Sequence, residues 1–275
     1  MGKQVVFWGP VHGQTGTTSN LMATACMIGL ESTIRSLIGH THGSYSILEP
    51  ALLKDTLESL GTTFQISGLD ALERLARNQR LTSLNVSDYT VPLLYQRLDL
   101  LTGSNHPADS IDHQGEWIDI FDQAKRGYDL VMIDVNSGLG QLNTVHMLQQ
   151  SDMVVINLNQ NAVLLDRLQE YQELTDLLKE KNCVFVLGQY NAHSKYTARN
   201  IARRYKFVQE LYTIPHCVDF MDACNDHSVM EFLLRHRNVS SRHPNAPFIR
   251  DVRKLADAIL KHTGIHSRLF CEKGA

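Results

Sequence analysis

The chain has 275 residues, 43% of them hydrophobic and 20% charged, with a formal net charge of −3. That apolar content supports a sizeable core, and the slightly acidic balance argues against a generally basic nucleic-acid binder. Five cysteines (Cys26, Cys183, Cys217, Cys224, Cys271) with no CxxC pair among them match no zinc spacing and read as lone thiols in a reducing cytoplasm.

The first predicted element is a strand over Gln4–Trp8. It stops at Gly9-Pro10-Val11-His12-Gly13-Gln14-Thr15-Gly16-Thr17, and this loop opens directly into a helical pattern over Thr18–Leu30. Strand, glycine loop and helix in that order form the layout of a phosphate-binding loop. Its backbone N–H groups point inward and the helix start adds partial positive charge. The P-loop pattern asks for lysine just before Thr18, and this chain has Thr17 there. Further strands are predicted at Arg35–Ile38, Leu98–Leu101, Leu130–Asp134, Met153–Asn157, Val184–Gln189 and Glu210–Ile214. The helices read between them are Glu49–Ser59, Gly68–Asn78, Trp117–Arg126, Leu142–Gln150, Ala162–Lys181 and Lys195–Arg204, with Ile249–His262 last. Runs such as Leu130-Val131-Met132-Ile133 have no polar alternate face, so both of their faces should be covered. Alternation of such strands with helices predicts an α/β fold: three layers around a doubly wound, mostly parallel sheet, as one domain over 1–275. The stretch Gly61–Tyr95 reads as an irregular helical or loop insertion, and residues 238–247 read as a surface connection. No apolar run approaches the ~18 residues that span a bilayer. No charged-then-apolar leader precedes the first strand, so the expectation is a soluble, cytoplasmic protein.

A nucleoside triphosphate with Mg²⁺ needs a phosphate cradle, a hydroxyl on the metal, and an acidic residue closing a neighbouring buried strand. The loop Gly13–Thr18 supplies the first, Thr18 (with Ser19 as alternate) the second, and Asp134 at the end of Tyr128–Asp134 the third. Gly138 lets the following loop approach a terminal phosphate. The plainer alternative is a tight strand-helix turn, with Asp134 capping Ser137 or Asn143.

On these residues the chain resembles the MinD/ParA superfamily of deviant-Walker P-loop ATPases, and within it the TadZ/CpaE-type proteins of Flp pilus assembly. The resemblance runs through the N-terminal loop and helix, YDLVMIDVNSGLG, DMVVINLNQNAVLLDRLQEY, VFVLGQYN and TIPHCVDFMDACNDHSVMEF. It implies a cradle made by His12, Gly13, Gln14, Thr15, Gly16, Thr17, Thr18 and Ser19, with ATP and Mg²⁺ as cofactors. Mg²⁺ would be held by Thr18 directly and by Asp134 through water. It also implies a homodimer with the nucleotide at its interface, protein partners in a pilus, secretion or polar assembly, and recruitment to the cell pole or inner membrane face. The family pattern KGGxxK[ST] places its lysines at His12 and Thr17, so both cations are absent here. The family's water-positioning aspartate after the second strand is absent too, because Leu37-Ile38-Gly39-His40-Thr41-His42 meets no carboxylate before Glu49.

Magnitudes separate binding from chemistry. One charge-assisted hydrogen bond is worth about 1.5–3 kcal/mol, so a lost lysine weakens affinity roughly ten- to a hundredfold and leaves binding viable. Transition-state charge stabilisation is worth about 10²–10⁵ in rate, so hydrolysis should be weak or absent. For the base, the family uses side chains after the late strands. Gln189, Asn191 and the turn at Pro215 stand there, and either amide could pair with an adenine edge or cap the helix starting near Ser194. The basic runs Lys195–Lys206 and Arg235–Lys254 read as solvated helix faces rather than a DNA surface. The stripe Ile249, Val252, Leu255, Ala256, Ile259 reads as packing on the sheet, leaving at most a peripheral membrane contact through Arg268-Leu269-Phe270.

Overall fold

The computed structural model describes residues 1–42, 46–53, 68–103, 116–170 and 181–266; side chains of 169 and 170 are outside it. Among these residues the strands are β1 (Lys3–Trp8), β2 (Ser36–His40), β3 (Val91–Leu94), β4 (Leu98–Leu100), β5 (Leu130–Asp134), β6 (Met153–Leu158), β7 (Asn182–Tyr190) and β8 (Leu211–Pro215). They form one sheet in the order β3-β4-β2-β5-β1-β6-β7-β8. Every pairing is parallel except the β3–β4 hairpin.

The helices are α1 (Thr17–Glu31), α2 (Leu48–Leu52), α3 (Gly68–Arg77), α4 (Ser83–Asp88), α5 (Glu116–Gly127), α6 (Leu142–Gln150), α7 (Ala162–Glu170), α8 (Ala198–Tyr205), α9 (Val218–Asn225), α10 (Val229–His236) and α11 (Ala246–Thr263). Their burial follows the two-residue alternation of the strands. Val5, Phe7, Ile38, Met132 and Val155 face a cluster with α1, α2, α9, α10 and α11. Val6, Trp8, Leu37, Val131, Ile133 and Ile156 face a second cluster with α3 to α8. The expected α/β architecture, a mostly parallel sheet covered on both faces, is therefore present.

Several boundaries differ from expectation. Within residues 61–95 the expected helix Gly68–Asn78 is present as α3, and α4 and β3, which were not expected, follow it, with Leu69, Leu72 and Val86 buried against α5. Helix α2 reaches only Leu52, and residues 54–59 of the span expected to end at Ser59 lie outside the described residues, as do residues 171–180 of the helix expected over Ala162–Lys181. Helix α8 begins at Ala198 rather than Lys195, because Thr197 caps it by accepting from the Asn200 N–H. Two helices, α9 and α10, fill a region for which the sequence reading placed none. The stripe on α11 is buried, as expected of packing against the sheet. Arg268-Leu269-Phe270 lies outside the described residues. No helix among the described residues is long and apolar enough to cross a membrane.

Helix α1 owes its central place to composition: from Asn20 to Glu31 every residue is buried. Its last turn is tied down twice. The Ser32 N–H and hydroxyl both donate to Ile28 O. Glu31, 1% exposed, meets the Arg253 guanidinium of α11 through a two-pronged ion pair, and Arg253 also donates to Arg237 O.

Candidate nucleotide site

The carboxyl ends of β1 and β5 lie side by side, with Phe7 opposite Asp134, and β6 flanks β1 on its other edge. Ligands of doubly wound sheets settle in the crevice outside such strand ends. The loop from Gly9 to Gly16 leaves β1 there and becomes α1. Gly16 has φ 67°, a left-handed conformation open to glycine without the Cβ penalty, and its carbonyl accepts the first helical hydrogen bond, from Asn20 N.

Inside the loop Thr15 is buried, and its hydroxyl lies 2.9 Å from that of Thr17. Thr17, where the pattern has lysine, thus points a hydroxyl back into its own loop. His12, Gly13 and Gln14 are exposed, and Asn159 holds the loop by donating to Gln14 O at 3.0 Å. Beneath the loop, Asn20 Nδ2 donates to Asn157 Oδ1 at 2.8 Å in a fully buried pair. The loop after β5 is tied to β1: Gly138 N donates to Gly9 O at 3.0 Å, and the Trp8 indole donates to Gly138 O at 2.8 Å.

Thr18, at the first turn of α1, donates to Asp134 Oδ2 in a short hydrogen bond. Thr18 and Asp134, the two residues expected to serve Mg²⁺, are therefore in contact; neither Ser137 nor Asn143 is among the hydrogen-bond partners found for Asp134, and Ser19 does not share the bond. Asp134 is 1% exposed, and its other oxygen, Oδ1, is buried without a hydrogen-bond partner. Buried carboxylate oxygens are rarely left unpaired, and a hydrated divalent ion is the kind of group that satisfies one. The donor set of Thr18 and Asp134 thus fits Mg²⁺.

One site residue escaped the sequence reading. His42, just past β2, places Nε2 3.1 Å from Asp134 Oδ2 and Nδ1 2.8 Å from Asn136 Oδ1. Its ring stacks on His40 with centroids 5.6 Å apart and stands edge-on to His12 at 6.5 Å. Burial disfavours charge on His42, but the bond and charge of Asp134, then Asn136 and Glu49, outweigh it and raise the imidazole above its ordinary range. His40 turns the other way: Nδ1 accepts from His42 N at 3.1 Å, and Nε2 meets Glu49 Oε1 at 2.6 Å. Glu49 also accepts from Gly103 N at 2.8 Å, so it braces β2, α2 and the end of β4. Burial pushes this carboxyl up, yet the His40 bond and charge and the Gly103 N–H prevail and hold it below the usual range.

The residues expected near the base are spread along one edge. Gln189, at φ 50°, lays its side chain against Gly16. Asn191 Oδ1 accepts from His193 N, and Gln160 clamps the Asn191 backbone from both sides. Pro215 pairs with Tyr190 in the β7–β8 register. Away from this site, burial pushes the Cys26 thiol up to about 12 and Cys224 up to about 11. No group of three His, Cys, Asp or Glu among the described residues could hold a metal.

No family profile and no curated protein sequence matches the chain. Solved structures do. A ParA family ATPase from Chlorobium tepidum TLS superposes with TM-score 0.71 at 15% identity, covering 93% of this chain and 97% of that one. MinD from Pyrococcus horikoshii OT3, complexed with Mg-ADP, gives 0.70 at 16%, covering 96% and 98%. A plasmid partition protein from Borrelia burgdorferi B31, bound to AMPPNP, gives 0.70 at 13%, covering 95% and 99%. At such identities the likeness speaks for architecture: the fold of this chain is that of ParA- and MinD-type P-loop ATPases.

Proposed function

We propose that this chain binds ATP with Mg²⁺ in the cradle of residues 12–19 and acts as a nucleotide-gated homodimeric localisation or assembly factor, with weak or no hydrolysis. The observation that carries the reading is the contact of Thr18 with Asp134 beneath a glycine loop, beside a buried carboxylate oxygen lacking a partner. The nucleotides held by two structures of the same fold support it.

The chain's own groups divide the work. Backbone N–H groups from Gly13 to Thr18 and the start of α1 hold phosphate oxygens. Thr18 and Asp134 hold the metal, and Gln189, Asn191 and Pro215 line the edge assigned to the base. Bound Mg²⁺ would neutralise phosphate charge. Hydrolysis is disfavoured because positions 12 and 17 carry no lysine and the end of β2 carries histidines where a water-positioning acid would stand. Gating requires only that ATP bind the dimer more tightly than the monomer. A pilus or polar assembly in the manner of TadZ/CpaE proteins is the cellular setting we favour, on the sequence resemblance.

Calorimetry with ATP and Mg²⁺, sedimentation with and without nucleotide, and single-turnover phosphate release test this reading together. ATP-driven dimers without phosphate release are expected. Steady release would identify a working ATPase instead, and absence of binding a nucleotide-free scaffold. Thr18→Ala should weaken Mg²⁺-dependent ATP binding by about tenfold, the worth of roughly one such hydrogen bond.

A further inference from the structure

We propose that a slot beside helix α8 docks an acidic segment of a partner protein, which seats one apolar side chain among cations that this chain leaves without acids. The inference does not depend on the nucleotide reading, because no residue of the phosphate cradle lines the slot.

The charge distribution comes first. From Lys181 to Gln209 the sequence has no Asp or Glu, yet this stretch of a chain with net charge −3 carries Lys195, Arg199, Arg203, Arg204 and Lys206. All five are exposed. Arg204 reaches Asp166 of α7 at 3.6 Å; Lys195, Arg199, Arg203 and Lys206 pair with no acid among the described residues. The helix dipole accounts for Arg203 and Arg204, which lie in the last turn of α8. It does not account for Arg199 in the first turn, where the dipole disfavours a cation and no acid offsets it. Arg199 and Arg203 also stand at i, i+4, a spacing that sets like charges side by side at a cost to the helix. A helix face shaped only for solvation mixes both signs at that spacing.

Three of these cations, Lys195, Arg203 and Arg204, line a slot of about 270 Å³ together with Tyr196, Asn200 and Ile201. Ile201, 1% exposed, and the half-buried Tyr196 give the slot apolar surface, and the Lys195 ammonium lies 5.5 Å from the Tyr196 ring centroid. Its walls are braced by the chain itself. Gln160 Nε2 donates to Tyr196 O at 2.8 Å, Tyr196 N donates to Ser194 Oγ at 3.1 Å, and Asn200 Nδ2 donates to Lys195 O at 2.9 Å. A preformed concavity with apolar surface and a few charged groups suits an inserted side chain and spares the cost of ordering on binding. A nucleic-acid duplex would set phosphates on the cations and leave the slot unfilled, and the acidic balance of the whole chain opposes a long polyanion. The chemistry that uses both features is a large apolar residue flanked by carboxylates, held by the arginine forks and by Lys195.

The test is fluorescence anisotropy on the full chain with a labelled synthetic peptide that carries one phenylalanine between two runs of glutamate. The controls are the same peptide with alanine for phenylalanine, the same peptide with lysine for glutamate, and a short DNA duplex. Saturable binding of the phenylalanine–glutamate peptide is expected at low salt, weakening as salt rises. The alanine peptide should bind about tenfold more weakly, the worth of one buried aromatic side chain. Arg199→Glu with Arg203→Glu should weaken the acidic peptide by about tenfold or more and gain affinity for the lysine peptide, a reversal that a merely structural role would not produce. If that variant fails to fold, Lys195→Ala with Arg203→Ala removes rim charge without reversing it and should also weaken the acidic peptide. Equal affinity for the phenylalanine and alanine peptides, tighter binding of the duplex than of either, or no peptide binding by wild type overturns the inference, and each of these leaves the nucleotide reading standing.

Discussion

Strand β7 passes directly under the phosphate loop, and Gly188→Ala measures how closely. A Cβ at position 188 would lie 2.2 Å from Thr15 O and 2.9 Å from Asn20 Nδ2. The first contact is with backbone, which cannot rotate away, so the Thr15 peptide must withdraw by about an ångström to reach ordinary packing distance. Overpacking of this kind costs about 1–3 kcal/mol. The displacement also works against the Asn20–Asn157 bond below the loop. A cradle moved that far loses the aim of its backbone N–H groups, each worth about 1.5–3 kcal/mol on a charged ligand. ATP affinity should then fall about tenfold or more. Urea unfolding followed by tryptophan emission reads the stability change, and calorimetry with Mg²⁺–ATP reads the cradle. A Gly188→Ala protein with the wild-type urea midpoint and wild-type affinity would refute the claim that β7 supports the loop by contact.

Arg253→Ala leaves Glu31 buried and short of its guanidinium, which should cost about 3–5 kcal/mol in urea unfolding. A double replacement, Glu31→Leu with Arg253→Met, should recover much of that loss, because it removes the orphaned charge. Glu49→Gln addresses pH: the folded Glu49 carboxyl sits below its unfolded value of 4.5, so its stabilisation is complete above that pH. It drains as pH falls through the lower folded value. The variant should therefore be less stable than wild type near neutrality, and the gap should close as acid unfolding is followed below 4.5.

The strands that build the site were legible because they are covered on both faces: Leu130–Asp134 and Met153–Leu158 are apolar throughout or nearly so, a pattern few other settings produce. Strand β3 carries no such signal. It is a half-exposed edge strand containing Pro92, paired on one side only, and it stabilises through a hairpin that composition does not announce. Helices α9 and α10 have eight residues each, and their buried faces rest on a few side chains such as Phe220, Ala223, Phe232 and Leu233. An i, i+3 spacing that short was easily taken for a connection. The contact of Thr18 with Asp134 was foreseeable from strand, loop and helix order. His42 was not, because its role depends on strand order: β2 lies beside β5 with His40 opposite Asp134, and two further residues bring a ring onto the carboxylate. Nothing in local spacing says which strands are neighbours.

The indole of Trp8 is fully buried and donates to Gly138 O, one of two tryptophans in the chain. It spans the seam between the end of β1 and the loop following Asp134, so any rearrangement there alters the polarity around an intrinsic fluorophore. Substituting Trp117 silences the other emitter, and the remaining signal becomes an optical gauge of that seam with no label attached.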